Sequence, residues 1–207
     1  MKWNKKIIFL LLGVGLIGSM LFFLISFRKP TAHRQKLSGL PTSAQWKTFQ
    51  GENPPFNFTF EYPAAWKTIT SRFSGKFDLV SVSGPQEEKT RFVVSVFVTK
   101  KSVPSGKTVE QLAEDALSKK KGLPKFEMHQ KKERKTGLGT MLGVEYQYTD
   151  ILPLYAPQRQ KVIIRNQELF LIKNNFYYRI SFIGTQDQYN AFLSAFDHTL
   201  ETFKLLD

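Results

Sequence analysis

The sequence predicts an α+β domain, a mostly antiparallel sheet of seven to eight strands with helices packed on it, preceded by one N-terminal transmembrane helix. Three observations lead to this prediction. Apolar and polar residues alternate along several segments, which is typical of half-buried strands. Two other segments place apolar residues at helical spacing directly after a capping box. The chain also opens with an apolar run, from Ile7 to Phe27, that contains no charged residue.

The run from Ile7 to Phe27 has the length of a membrane anchor. At about 1.5 Å per residue, a helix of this length spans roughly 32 Å, close to the thickness of the hydrocarbon core of a bilayer. Residues 1–6 form a short basic N-terminus like that of an export signal, but a cleaved signal has a shorter apolar core that ends in small residues. A lipoprotein anchor is excluded because the chain contains no cysteine to lipidate. We therefore expect residues 7–27 to be a retained, single-pass anchor in the cell membrane.

Residues 28–53 are predicted to form a flexible tether, because prolines and glycine interrupt them and apolar periodicity is weak. Trp46 and Phe49 are two tether residues suited to dock onto the domain that follows, which we expect over residues 54–207. Basic residues are balanced on the two sides of the apolar run, so the positive-inside rule does not decide the orientation. The short N-terminus and the absence of cysteine favour an extracytoplasmic domain.

The domain is predicted to contain eight strands and two helices. The first helix begins after a capping box of Thr108 and Gln111, and the second begins after one of Thr185 and Gln188. Residues 173–175 form a predicted hairpin turn, since asparagine tolerates positive φ. The strands are expected at residues 56–62, 66–71, 77–83, 91–99, 126–133, 140–149, 161–172 and 176–183.

The domain contains, in this order, a segment FTFEYPAAWK at residues 58–67, a valine-rich strand at 93–98, a helix start at 108–113, a Gly-rich strand at 137–148, a hairpin strand at 175–182 and a closing helix at 196–204. This order resembles the PsbP-like family over about Phe56 to Leu206. The resemblance implies an α-β-α sandwich used as a non-catalytic module. The best-known members are extrinsic subunits at the lumenal face of photosystem II, and others are bacterial envelope proteins without assigned activity. The uncleaved anchor departs from the photosynthetic form, so we carry over only the fold and the class.

The charge of the chain is concentrated near the predicted anchor. The net charge is +13, and residues 1–37 contain seven Lys/Arg and no acidic residue. Basic residues at this place meet anionic headgroups, so the basic balance does not indicate nucleic-acid binding.

No pattern of catalytic or metal-binding residues is found. His33, His129 and His198 have no second ligand at metal-binding spacing, and we expect them on the surface without a role. The chain has no cysteine, no G-x-S-x-G motif and no phosphate-binding loop. We therefore expect a protein that is not an enzyme and that needs no cofactor.

Two segments are candidates for surface contacts. A basic segment carries six net positive charges, which fits either a solvated helix end and hairpin or a contact for an anionic surface. An apolar loop, residues 151–157, fits either half-buried packing or a docking lip through Leu152, Leu154 and Tyr155. The basic residues of the first segment are Lys119, Lys120, Lys121, Lys125, Lys131, Lys132, Arg134 and Lys135.

Together these observations predict a membrane-anchored extracytoplasmic accessory or binding module with a monomeric domain, which acts through contacts with an envelope complex or an anionic surface. A second hypothesis is a carrier of a small lipid-like ligand, held in an apolar cleft between sheet and helix. A dry core would favour the first hypothesis, whereas a cavity of several hundred Å³ would favour the second.

Overall fold

The computed structural model describes residues 45–51, 56–73, 77–152 and 159–206. The predicted anchor, residues 7–27, and the tether up to residue 44 lie outside these ranges. Within the described ranges, no helix is both long and apolar enough to cross a membrane.

Ten strands and two helices make up the described part of the chain, and the strands form two separate antiparallel sheets. The elements are β1 (Trp46–Gln50), β2 (Phe58–Pro63), β3 (Lys67–Phe73), β4 (Phe77–Gln86), β5 (Val93–Ser102), α1 (Val109–Ser118), β6 (Glu127–Thr136), β7 (Gly139–Leu152), β8 (Gln160–Lys173), β9 (Phe176–Thr185), α2 (Gln186–Thr202) and β10 (Lys204–Leu205). The large sheet has seven strands in the order β3-β4-β5-β9-β8-β7-β6, and the small sheet has the order β1-β2-β10.

The large sheet is covered on both faces because side chains alternate along its strands. On β8, Leu169 belongs to a large aromatic cluster with α2 and the small sheet, whereas the next residue, Phe170, belongs to a smaller cluster with α1. The helices therefore lie on opposite faces of the sheet, and we call these the α2 side and the α1 side. The α+β class and the seven-stranded antiparallel sheet are confirmed.

Local sequence signals set the ends of the helices as predicted. Gln111 N–H donates to Thr108 Oγ1 at 3.3 Å, and Thr108 N–H donates to the Gln111 side chain at 3.0 Å. The same reciprocal pair joins Thr185 and Gln188 at the start of α2. The predicted β8–β9 turn is also present, since residues 174 and 175 are asparagines with φ of 51° and 61°.

The predicted boundary between tether and domain is wrong. Trp46–Gln50 is not a flexible tether but strand β1, which pairs with β2, so the domain begins before residue 54. The Phe49 ring packs 5.1 Å from the Phe60 ring, between centroids. The signal was missed because Trp46 and Phe49, the two apolar residues of β1, are three positions apart and show no strand period.

The sheet assignment of β2 also differs from the prediction. Its alternation of Phe58 and Phe60 with polar residues gives a strand, but this strand pairs with β1 and β10 and not with the large sheet. An alternation of apolar and polar residues indicates that one face of a strand is buried, but it does not indicate which strand pairs with it. The single predicted sheet is therefore corrected to two sheets.

The β6–β7 turn is fixed against the end of α2. The Gly137 N–H donates to the Leu200 carbonyl at 2.9 Å. A Cβ at this position would lie 2.3 Å from the Phe203 carbonyl oxygen, so a side chain does not fit without a backbone shift. This contact fixes one end of β6, the strand that carries half of the predicted basic segment.

Candidate functional site

The predicted basic segment does not form one surface, because β6 points its side chains to both sides of the sheet. Lys131 is opposite Val144 in the β6–β7 register, and Val144 packs in the cluster of α1. Lys132 is opposite Gly143, and Arg134 is opposite Met141, which packs in the cluster of α2. Lys131 and, by alternation, Lys135 therefore lie on the α1 side, whereas Lys132 and Arg134 lie on the α2 side.

The other four basic residues lie in the connection from α1 to β6. Lys119 is the C-terminal cap of α1, Lys120 and Lys121 follow it in the turn, and Lys125 has a φ of 52° just before β6. These residues are on the surface at the end of α1 and adjoin the α1 side of β6.

Acidic neighbours neutralise part of the segment. Lys121 Nζ is 2.5 Å from Glu114 Oε1, and this hydrogen bond, with the charges of Lys121 and Lys131, lowers the pKa of Glu114. Arg134 is a structural residue, since its guanidinium is 2.5 Å from Asp197 Oδ1 of α2. The basic surface is thus weaker than the composition of the segment indicates.

A second basic group on the α1 side was missed by the sequence analysis. Lys101 of β5 is opposite Tyr177 of β9, and its Nζ lies 4.8 Å from the centre of the Tyr177 ring. Arg179 is two residues further along β9 on the same face, with its guanidinium 4.0 Å from Glu168 Oε2. The predicted fourth strand ended at residue 99, so Lys101 was not placed on a sheet face.

The charges of this second group act on one another. Burial lowers the pKa of Lys101, and the positive charges of Arg179 and Lys119 lower it further, whereas Asp115 raises it. Asp115 of α1 also accepts a hydrogen bond of 3.0 Å from Lys107 Nζ. Basic residues from β5, β9, the end of α1 and the loop before α1 are thus brought together here.

A buried acidic residue lies beside this group. Glu168 is only 3% exposed, and the Tyr146 hydroxyl donates to its Oε1 at 2.8 Å. Burial raises the pKa of Tyr146, and the negative charge of Glu168 raises it further, so the tyrosine remains a donor. This pair satisfies a buried carboxylate and holds β7 to β8.

The predicted docking loop is described only at its start. Leu152 is the last residue of β7 and is 8% exposed, so it is packed and not available as a docking contact. Ile151 is 46% exposed. Leu154 and Tyr155 lie outside the described residues, and their docking role stays a prediction.

The expectation for His198 is wrong. Its Nε2 is 2.6 Å from Glu61 Oε2, and its ring stacks on Trp46 with the centroids 3.9 Å apart. His198 therefore joins α2 to β1 and β2, and its partners were not visible because they lie more than 130 residues away. His129 is 4.0 Å from Glu127, and His33 lies outside the described ranges. No group of three potential metal ligands forms among the residues described.

The predicted apolar cleft between sheet and helix is filled by side chains. The crevice where α2 meets the strands has no room for a water molecule. It is lined mainly by aromatic and aliphatic residues: Phe60, Tyr62, Pro63, Trp66, Val82, Val96, Ala195, Phe196 and Thr199.

Comparison with known proteins identifies the fold. No protein-family profile and no curated protein match the chain. Among solved structures, cyanobacterial PsbP (CyanoP) from Synechocystis sp. PCC 6803 is similar at a TM-score of 0.51 and 14% identity, over 83% of this chain and 98% of that chain. LpqN of Mycobacterium tuberculosis, described as involved in cell envelope biogenesis, is similar at a TM-score of 0.51 and 11% identity, over 79% and 91%.

These similarities agree with the observed layers, in which α1 packs on one face of the large sheet and α2 packs with the small sheet on the other face. The protein is an α+β sandwich of this class. Its fold is PsbP-like, and the resemblance that the sequence showed is confirmed at the level of the fold.

Proposed function

We propose that this protein is a membrane-anchored, extracytoplasmic accessory module without catalytic activity, which acts through surface contacts with an envelope complex. The apolar run from Ile7 to Phe27 supports the anchor. The similarity to LpqN, a protein involved in cell envelope biogenesis, supports the location of the domain.

The close packing between α2 and the large sheet favours a module that acts through its surface over a carrier of a small ligand. Small-ligand sites are clefts of about 300–1,000 Å³ that are largely formed before the ligand binds. The crevice between α2 and the large sheet admits no water molecule, and Phe182 and Phe196 stack across this layer with their centroids 4.9 Å apart. A lipid-like ligand would have to displace close-packed side chains, which is costly. The contacts of this module are therefore assigned to its exterior.

The experiment that tests this function is a topology and lipid assay on the full chain. Protease added to intact cells or spheroplasts is expected to digest the domain and leave a membrane-bound N-terminal fragment. Protection in intact spheroplasts, with digestion only after lysis, would contradict the extracytoplasmic assignment.

The carrier alternative is tested on the same material. The protein purified in detergent is extracted and its bound lipids are measured by mass spectrometry. We expect less than one tightly held lipid per chain after extensive washing. A single lipid species at a ratio of one to one that resists washing would show a carrier instead.

A further inference from the structure

Four basic side chains from four segments of the chain lie near one another on the α1 side, and one of them pairs with the carboxylate of Asp115. They are Lys101 of β5, Lys107 of the loop before α1, Lys119 at the end of α1 and Arg179 of β9, and we call them, with Asp115, the Asp115 cluster. Lys107 Nζ is 3.0 Å from Asp115 Oδ2. Arg179, Lys119 and Asp115 all lie close enough for their charges to act on Lys101.

The cluster contains more positive than negative charge. Asp115 is the acidic member, and its side chain is 60% exposed. Glu168 is nearby, but its Oε1 already accepts from Tyr146 at 2.8 Å, and its distance of 4.0 Å from Arg179 is longer than a hydrogen bond. Four cations thus face two carboxylates, of which one is buried and already hydrogen-bonded.

The partial burial of these cations makes the excess charge significant. Arg179 has a side chain that is 35% exposed, and that of Lys107 is 39% exposed. Burial is the first cause that lowers the pKa of Lys101, and the charges of Arg179 and Lys119 come next. A lysine whose charged form is disfavoured by like-charged neighbours gains stability when an anion binds beside it.

The donors also suit a particular kind of anion. Arg179 offers a planar fork that binds two oxygens, whereas the lysines act as point charges from other directions. The Tyr177 ring lies under Lys101, and burial raises the pKa of Tyr177, although Arg179 opposes this. A phosphate group has a charge of about −1.5 to −2 near pH 7 and three acceptor oxygens, which match both the charge excess and the spread of donors.

We propose that the Asp115 cluster is a binding site for a phosphate monoester group, held by Lys101, Lys119 and Arg179, with Asp115 as the internal competitor. The group is that of a small phosphorylated solute or of a lipid headgroup. This site goes beyond the proposed function and does not depend on it.

The structural alternative is that Asp115 and its cations only fasten α1 to the sheet. The two accounts give opposite results for Asp115→Asn. If Asp115 competes with phosphate, its neutralisation strengthens phosphate binding. If Asp115 only pairs with its cations, the same change leaves the melting temperature nearly unaltered and produces no phosphate binding.

The test uses the full chain in a maltoside detergent, whose headgroup carries no phosphate, at about 0.02 M salt, where screening is weak. Binding of inorganic phosphate and of dihexanoyl phosphatidic acid is measured by calorimetry, and the pKa of Lys101 is followed by NMR of its side-chain amine. We expect saturable binding of one phosphate per chain and a rise in the pKa of Lys101 when phosphate is bound. Phosphatidic acid that binds at least as tightly as inorganic phosphate identifies a headgroup site, whereas weaker binding identifies a site for soluble phosphates.

Matched variants decide the outcome. Lys101→Gln and Lys119→Gln should each weaken binding about fivefold, the order expected for one unit charge a few ångströms away in high-dielectric surroundings, and Asp115→Asn should strengthen it to a similar extent. Lys132→Gln, on the α2 side, is the control and should leave binding unchanged. The proposal is overturned if neither phosphate compound binds, if Lys132→Gln weakens binding as much as Lys119→Gln, or if Asp115→Asn fails to strengthen it.

Discussion

The two sides of the large sheet are built differently. On the α2 side, aromatic rings fill the space between the sheet, α2 and the small sheet, and Phe58, Phe60, Phe182, Phe196 and Phe203 are each at most 1% exposed. On the α1 side, one short helix buries Leu112, Ala113 and Leu117 against four residues of the sheet, and charged residues surround this small cluster.

Two hydrogen-bonded ion pairs on each side differ in solvent exposure. On the α2 side, Arg134 with Asp197 and Arg165 with Glu145 join α2 to the sheet or neighbouring strands to each other, and three of these four side chains are at most 25% exposed. On the α1 side, the side chains of Lys121 with Glu114 and Lys107 with Asp115 are 39–60% exposed. Solvated pairs contribute little to stability and can exchange partners. The difference indicates that the α2 side stabilises the domain, and we propose that the module makes its contacts on the α1 side.

The largest expected effect is in the aromatic layer. Phe196→Ala removes a ring that is 0% exposed and stacked on Phe182, and should lower the free energy of unfolding by about 3–5 kcal/mol. Leu117→Ala in the α1 cluster should cost less, about 2–3 kcal/mol, because that cluster is small and close to solvent. Urea unfolding of the two variants measures both losses in the free energy of unfolding. Equal losses would contradict the conclusion that the α2 side stabilises the domain more than the α1 side.

The next effect is a loss of stability in alkali. Burial raises the pKa of Tyr148, on the α1 side, to about 12, with further contributions from Asp150 and Glu168. Because the pKa in the folded state is above that of the unfolded state, the stabilisation is complete below about pH 10 and is lost as pH rises to about 12, which amounts to about 2–3 kcal/mol.

Tyr148→Phe is the variant that tests this effect. Its free energy of unfolding should fall less steeply between pH 10 and 12 than that of the unmodified chain. Denaturant unfolding at a series of pH values gives both slopes, and parallel slopes would show that Tyr148 titrates in the folded state as it does in water.

A smaller loss is expected for Tyr146→Phe. This change removes the hydroxyl that donates to the buried Glu168 at 2.8 Å, and an unsatisfied buried acceptor costs about 1–3 kcal/mol. Chemical denaturation measures the cost. A variant as stable as the unmodified chain would mean that water or Arg179 replaces the donor.

A still smaller loss of stability is expected when the side-chain contacts that attach β1 to α2 are removed. His198→Ala removes both the stacking partner of Trp46 and the hydrogen bond to Glu61, and should cost about 1 kcal/mol. Trp46 emission should shift to the red as the ring becomes solvated, with Trp3 and the buried Trp66 contributing the same background to both proteins. An unchanged spectrum would show that strand pairing alone holds β1 in place.

The smallest effect on stability is expected for the exposed lysines. Reversal of Lys131 and Lys135 to glutamate should leave the melting temperature nearly unaltered, because exposed charges contribute little. The full chain in neutral nanodiscs should bind anionic vesicles weakly at low salt and release them as salt rises, and the double reversal should remove most of that binding. Lys132→Glu, on the α2 side, is the matched control. If binding to anionic vesicles persists in the double variant, Lys131 and Lys135 are only solvated residues of the edge strand.

The sequence predicts much of this fold because its signals are local. The capping boxes at Thr108 and Thr185, the Asn174–Asn175 turn and the period of two along β4, β5, β8 and β9 each depend on residues within a few positions. The strand β1 and the separate small sheet were missed because pairing between distant strands leaves no local pattern.

The candidate site was predicted less well for the same reason. The basic segment was read as one surface, but alternation along β6 separates Lys131 from Lys132, and Arg134 pairs with Asp197 of a distant helix. The Asp115 cluster combines residues that are up to 78 positions apart, from Lys101 to Arg179, and only the β5–β9 register brings those two together.

The most direct test of the account compares the two sides in intact cells. A photo-crosslinking amino acid is placed in the full chain at Ser118 of α1 or at Ser194 of α2, two exposed serines on opposite sides of the sheet. After illumination, adducts with envelope protein or phospholipid should form at Ser118 and be nearly absent at Ser194. Adducts at Ser194 that equal or exceed those at Ser118 would contradict the assignment of contacts to the α1 side.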